Sequence, residues 1–337
     1  MDNEIYPVVL STTVKLIRNF VDLPFPNKAS NLQKDLCIQR VISGLEALED
    51  VFICYELKKL SSHSIALMAE RELISETLEK NIESGVALIT EDKQCSVLVN
   101  DENQIVIKVK TQDVRLGLEK AHRLADAIEK EGEFAYDESW GYLTARPEKA
   151  GVGLEISYLF HLPLYSAMDL FEETLTAFNT PITAFKPHYK NEWEADEEGQ
   201  GHSLYCLSVG DVGMCSEDEL VQLLNYLAMH LTEEESILRA KLRREKTVEW
   251  LDRIYQSFGI LRYARRMTFD EFELYWQDLR FGASISLFPL SISEVDALYI
   301  EAQNHHLLNR YPNSLLSLEE MRSNYIRSQL MEIDDFS

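Results

Sequence analysis

Hydrophobic and polar residues change their period several times along the chain, and each change marks an element. Tyr6-Pro-Val-Val-Leu-Ser-Thr-Thr-Val-Lys-Leu-Ile-Arg-Asn-Phe20 is apolar and β-branched at first, then turns basic, and Leu23-Pro-Phe-Pro26 ends it in a turn. From Leu32 to about Leu48 the apolar positions Leu36, Ile38, Val41, Ile42, Leu45 and Leu48 recur at helical spacing, which predicts a helix with one buried face. A second helix is expected from His63 to about Glu79. Between Gly85 and Lys110 the period becomes two. Val86–Thr90, Cys95–Val99 and Gln104–Lys110, separated by Glu91-Asp-Lys-Gln and Asn100-Asp-Glu-Asn, describe an antiparallel meander. In its last strand Ile105, Ile107 and Val109 share one face, and Val106, Lys108 and Lys110 share the other.

Helical spacing returns from about Thr111 to Glu131 through Leu118, Ala121, Leu124, Ala125 and Ile128. A strand-like run at Tyr142–Ala145 meets Pro147, a Gly151-Val-Gly153 turn follows, and an apolar segment runs from Leu154 to Leu162. A helix is expected around Ser166–Phe178, a polar acidic loop at Lys190–Gly201, and a strand at Ser203–Val209. Beyond that, Ser216/Glu219, Thr232/Glu235, Thr268/Glu271, Ser291/Glu294 and Ser317/Glu320 each repeat the capping-box pattern ahead of an apolar-periodic run, which predicts helices to the end. The fold class is therefore α+β. A small N-terminal helical part (about 1–80) precedes an antiparallel sheet flanked by helices (about 81–230), and an all-helical C-terminal domain (231–337) follows.

A length of 337 residues with 45% hydrophobic content suits two domains and a sizeable core. The net charge of -24 opposes binding to nucleic acid or an anionic membrane, since neutralising phosphates needs clustered Lys and Arg, and it favours a basic protein partner. No apolar run approaches membrane-spanning length and the first residues are acidic, so a cytoplasmic protein is expected. Five scattered cysteines without a CxxC pair argue against a disulfide framework and against a zinc site, and no metal site is expected. His161 lies within an apolar strand, which reads as a core histidine.

The order of these pieces resembles, over nearly the whole chain, the McsB-type bacterial protein arginine kinases of the phosphagen (ATP:guanidino) kinase family. The resemblance rests on Val8–Asn19 with Leu23-Pro-Phe-Pro26, Ala69-Glu-Arg-Glu-Leu-Ile-Ser75, Ser96–Glu102, Gly141-Tyr-Leu-Thr144 through His161-Leu-Pro163, Leu207-Ser208 and Ser216-Glu217. It continues in Phe258–Ala264, Leu279-Arg-Phe-Gly282 and Gln303-Asn-His-His-Leu307, which belong to the helical domain that sets protein arginine kinases apart. The resemblance implies a phosphagen-kinase-like fold, a dimerising C-terminal domain, a place in a stress response, and transfer of phosphate from ATP with Mg to a guanidinium. In such a transfer cations hold the polyphosphate and carboxylates orient the nucleophile.

The cations are where the sequence departs. The family pattern Ser-x-Arg-x-Arg-x-x-Arg-Asn reads Ser11-Thr-Thr13-Val-Lys15-Leu-Ile-Arg18-Asn19, and Asn-Glu-Glu-Asp-His-Leu-Arg reads Asn100-Asp-Glu102-Asn-Gln-Ile-Val106. Cys-Pro-Thr-Asn-x-Gly-Thr-Gly-Leu-Arg reads Arg146-Pro-Glu-Lys149-Ala-Gly-Val152-Gly-Leu-Glu155, and the final Arg-Gly-x-x-Gly-Glu motif finds no arginine between Thr183 and Gly201. By the resemblance Glu102 holds a catalytic position, Lys15, Arg18 and Lys108 are the candidates for phosphate, and Arg146 and Arg239 are the candidates for substrate or phosphoarginine. The expected function is a pseudokinase that scaffolds or regulates a partner, with ATP and Mg required only if activity survives. Two alternatives stand beside it. One is a diverged, active kinase using Lys15, Lys108, Lys149 and Arg146 as relocated cations, with Glu102 as the base. The other is a binder of arginine-rich or phosphoarginine-bearing segments. A homodimer or heterodimer through the C-terminal helices is expected from the aromatic content of Phe258, Phe272, Tyr275, Trp276 and Phe281.

Overall fold

The computed structural model describes residues 7–168, 170, 184–187, 203–209, 216–245 and 247–331. Its centre is an eight-stranded sheet in which every neighbouring pair is antiparallel. The strands are β1 (Val9–Arg18), β2 (Phe52–Glu56), β3 (Val86–Thr90), β4 (Cys95–Val99), β5 (Ile105–Thr111), β8 (Leu154–His161), β9 (Ala184–Pro187) and β10 (Leu204–Val209). They lie in the order β2-β3-β4-β5-β1-β8-β10-β9, and a separate hairpin joins β6 (Tyr136–Asp137) to β7 (Gly141–Tyr142). The expected meander is β3-β4-β5. The short run β2, which carries no strong alternation, adds an edge strand that periodicity does not reveal.

The two faces of the sheet differ as the alternation in β5 requires. Val14 and Leu16 of β1, Ile105, Ile107 and Val109 of β5 and Leu154 and Ile156 of β8 form one core with α1 (Asn31–Glu46) and α4 (Val114–Glu129). On the opposite face Ala87, Ile89, Leu98 and Val106 pack under α2 (Ser62–Glu70) and α3 (Glu76–Lys80). The single helix expected over His63–Glu79 is thus two. Leu73 N–H returns to the Met68 carbonyl, Glu72 takes a left-handed φ of 55°, and the Ser75 side chain caps the new start by accepting from Leu78 N–H. This break places Glu70, Glu72 and Glu76 along one wall of a cleft over the sheet.

After β8 comes α5 (Pro163–Ala167). The helix expected around Ser166–Phe178 and the loop at Lys190–Gly201 lie mostly outside the described residues. The helical part comprises α6 (Glu217–Glu245), α7 (Val248–Tyr263), α8 (Phe269–Ser284), α9 (Ile292–Glu301), α10 (Asn304–Arg310) and α11 (Leu318–Leu330). Thr268, Ser291 and Ser317 make the reciprocal capping boxes predicted, and Ser216 bonds Glu219 in the same way ahead of α6. Thr232/Glu235 does not start a helix. It lies inside the 29-residue α6, where the Thr232 hydroxyl donates back to the Ala228 carbonyl and Glu235 is fully buried. The boundary expected at residue 231 therefore falls within a continuous helix.

Most of the aromatic residues that suggest an interface pack inside the helical part, with Tyr275 half-buried. Phe258, Phe272, Trp276 and Phe281 are buried, with Phe258 stacked on Phe288 and Trp276 donating its indole N–H to the Val295 carbonyl. Its exposed apolar side chains are others, Val248, Ile260 and Tyr263 among them. No helix among the described residues is long and apolar enough to cross a membrane.

Candidate functional site

The polar face of the sheet forms the floor of a cleft of about 580 Å³. Alternation along the strands places Ser11, Thr13 and Lys15 of β1, Lys108 of β5, Ser157 and Leu159 of β8 and Cys206 of β10 on that floor. The α2–α3 break supplies Glu70, Glu72, Ile74 and Glu76 along one wall, and Phe269, Gln303 and Asn304 reach over from the helical part. The charged side chains among these are two lysines and three glutamates, and no described arginine lines the cleft.

The lysines are already engaged. Strand register sets Lys15 opposite Glu155, and Lys15 Nζ lies 2.7 Å from Glu155 Oε1, with Lys149 Nζ 3.8 Å from the other carboxylate oxygen. Burial alone would raise the Glu155 pKa, but the charges of Lys15 and Lys149 outweigh it and hold the carboxyl below the usual range. Lys108 is placed opposite Lys15 on the other neighbouring strand, and its Nζ donates to the Glu72 carbonyl. Burial pulls its pKa down to about 8. Val106, two residues earlier on the same face, sits beneath α2 and α3 within the second apolar core, so that position holds hydrocarbon in place of a cation.

Arg18 is separated from Lys15 by strand parity and faces the opposite side of the sheet. Its guanidinium lies 3.5 Å from the centre of the Tyr142 ring and donates to the carbonyls of Ile17, Val152 and Gly153, and burial lowers its pKa to about 10. Arg18 thereby fixes the Gly151–Gly153 turn and does not enter the cleft. Gly153 has φ +59°, and a Cβ there would stand 2.6 Å from Arg18 Nη1 and 2.8 Å from the Ile17 carbonyl. Gly153→Ala is accordingly expected to cost about 2–4 kcal/mol, read as a lower denaturation midpoint in urea, whereas an unchanged midpoint would show that the turn is not fixed by this contact.

Glu102, in the β4–β5 turn, pairs with Arg146, whose Nε lies 2.5 Å from Glu102 Oε1. The carboxylate at the catalytic position is thus met by the arginine that stands where the family pattern has cysteine. Asn19 and Asn103 tie this region together. Asn19 Nδ2 donates to Asn103 Oδ1 and to the Leu143 carbonyl, and the Ala145 N–H donates to the same Asn103 oxygen.

Arg239 lies elsewhere and is wholly enclosed. Its Nε is 2.8 Å from Glu235 Oε1, Nη1 donates to Ser284, and Nη2 donates to the His161 carbonyl at 2.7 Å. Both Arg239 and Glu235 have no exposed surface, so the candidate Arg239 does not line an open phosphoarginine pocket. Burial, with Arg280 and Arg239 close to Nδ1, holds the His161 pKa well below the ordinary value, in keeping with a core histidine. His305 and His306 both contact the Glu70 carboxylate.

These positions can be set beside known proteins. Residues 36–237 match the family described as ATP:guanido phosphotransferase, C-terminal catalytic domain, and residues 247–336 match the protein-arginine kinase McsB C-terminal domain. The protein-arginine kinase of Caldanaerobacter subterraneus is 28% identical, over 96% of this chain and 97% of its own. That of Brevibacillus brevis is 28% identical over 97% and 93%. Among solved structures, lombricine kinase superposes with a TM-score of 0.59 at 19% identity, covering 72% of this chain and 69% of that one. A duplicated taurocyamine kinase from Schistosoma mansoni gives 0.60 at 16%, covering 72% and 35%; both likenesses speak for the fold alone.

Among the described residues the lining of the cleft suits a polyphosphate poorly. ATP would meet more carboxylates than cations among the described lining residues, with Lys15 already bound to Glu155. Sequence extends the point to segments the structure does not describe, since residues 147–238 contain no arginine at all.

Proposed function

Because the chain belongs to the ATP:guanido phosphotransferase family and ends in the McsB-type C-terminal domain, we propose that it keeps the protein-arginine-kinase scaffold without its phosphotransfer. Its work is then to scaffold or regulate a protein partner. The observation that carries this reading is the arginine-free span 147–238, within which the family pattern places a phosphate-facing arginine at position 155 and another in the last motif. Each charged hydrogen bond lost there removes about 1.5–3 kcal/mol of anion binding.

The cations that a diverged active kinase would use support the inactive reading, because each has a partner within the protein. Lys15 and Lys149 serve Glu155, Arg146 serves Glu102, and Lys108 serves the Glu72 carbonyl. Exposing the protein to ATP with Mg and an arginine-containing substrate protein should leave no acid-labile phosphate on the substrate. Phosphate that is acid-labile and maps to arginine would overturn the proposal.

Assembly is part of the same reading. A dimer through the C-terminal helices, with itself or with a related kinase, would bury Val248, Ile260 and Tyr263, and the net charge of -24 favours a basic partner. Light scattering at micromolar concentration is expected to return twice the monomer mass; a monomer mass would remove the homodimer.

A further inference from the structure

A contact at the wall of the cleft joins the two parts of the chain. Glu70, the last residue of α2, lines the cleft and at the same time holds the start of α10. Its Oε1 accepts the His305 N–H at 2.8 Å and lies 3.0 Å from His305 Nδ1, while Oε2 accepts the His306 N–H at 3.2 Å and lies 2.8 Å from His306 Nδ1. Arg71 Nε donates to His306 Nε2 at 2.8 Å, which leaves the proton on Nδ1, pointing at Glu70. The Gln303 side-chain amide donates to the Glu70 carbonyl at 3.3 Å, and Arg71 faces Glu301 at 3.6 Å.

Every one of these bonds ties the sheet's α2 to the turn that carries Gln303 and Asn304 over the cleft. Burial alone would raise the Glu70 pKa, but the hydrogen bonds from His306 and His305 bring it down to about 2, so the carboxylate is ionised and fully used in this closed arrangement. Beneath the roof Thr13, only 6% exposed, lies on the cleft floor beside Ser11 and Ser157, and Cys206 completes the row.

We propose that the Gln303–His306 turn is a lid over the α2 side of the cleft, clasped by Glu70, and that lifting the helical part away from α2 widens access to the cleft floor. The inference holds whether or not the cleft accepts nucleotide. It also gives a partner bound to the C-terminal helices a mechanical route to the cleft, by breaking or strengthening one carboxylate clasp.

Two thiols that are not buried among the described residues make the test direct. Cys206 lines the floor of the cleft, and Cys54 is exposed on the edge strand β2. N-ethylmaleimide labelling followed by peptide mass spectrometry gives the Cys206/Cys54 rate ratio, in which thiolate effects cancel between variants at one pH. Cys206 should be the slower thiol in the unaltered chain, and Glu70→Gln should raise the ratio about tenfold while the buried Cys37 and Cys95 stay unlabelled. If Glu70→Gln unfolds the chain, seen as labelling of Cys37 and Cys95, the milder Gln303→Ala, which removes one clasp bond, decides by a smaller rise with the buried thiols protected. An unchanged ratio in a folded variant, or a Cys206 that reacts as fast as Cys54 in the unaltered chain, overturns the lid.

Discussion

Replacing Glu235 by glutamine is expected to cost about 3–5 kcal/mol, because it strands the Arg239 guanidinium in an interior without its counter-charge. Neither side chain has exposed surface, so water cannot take over. Glu235 Oε2 also accepts the Tyr165 N–H at 2.9 Å, which links α6 to α5, while Arg239 holds the end of β8 through the His161 carbonyl. The loss is therefore felt in the sheet as well as in the helices, and should appear as a melting temperature lower by roughly 10 °C. Replacing both partners by apolar residues of similar volume, Glu235→Leu with Arg239→Met, should recover most of that loss, since the desolvation of two charges disappears together with their attraction. A single variant that melts like the unaltered chain would show that the pair is not enclosed.

The second large effect concerns the cleft. Thr13→Arg, Lys15→Arg and Glu155→Arg together should tighten binding of inorganic tripolyphosphate by about 100-fold, the worth of roughly two charge-assisted hydrogen bonds. Val106 is left out because it supports the apolar packing of α2 and α3, where a guanidinium would be buried without a partner. The same three changes dissolve the Lys15–Glu155 pair and crowd Lys108 and Lys149 with like charge, so the variant should melt lower in the absence of anion and recover in its presence. Calorimetric titration reads both. Failure of the triple variant to bind tripolyphosphate would mean that the cleft floor is not where the family's polyphosphate lies.

Much of this organisation was legible in the order of residues because period two and period 3.6 are imposed by burial on one face. The three strands of the meander and the helices α1 and α4 fall where alternation and helical spacing put them. What failed to show was what tertiary context decides. The break at Glu72 carries neither glycine nor proline, β2 is a strand only because β3 pairs with it, and Thr232/Glu235 imitates a capping box inside a helix that never stops there.

The site divides in the same way. The missing arginines were readable one position at a time against the family patterns, and the separation of Lys15 from Arg18 follows from strand parity alone. The pairing of Lys15 with Glu155 and of Arg146 with Glu102 depends on strand register and loop placement, which no local pattern encodes. Those pairings give the departures one property: each new cation is neutralised within the protein, Lys15 by the equally new Glu155 and Arg146 by the retained Glu102. Enclosure of Arg239 was equally hidden, since a run of arginines and glutamates on a helix reads as solvated until a second layer is known to cover it.

Thermal unfolding of the unaltered chain in rising ATP with Mg tests the loss of nucleotide binding most directly. A ligand at a hundred times its dissociation constant stabilises by about 2.7 kcal/mol, which for a chain of this size is a rise of roughly 5 °C. The account predicts a melting temperature unmoved at millimolar nucleotide. A saturating rise in that range would contradict it and return the cleft to the active kinases.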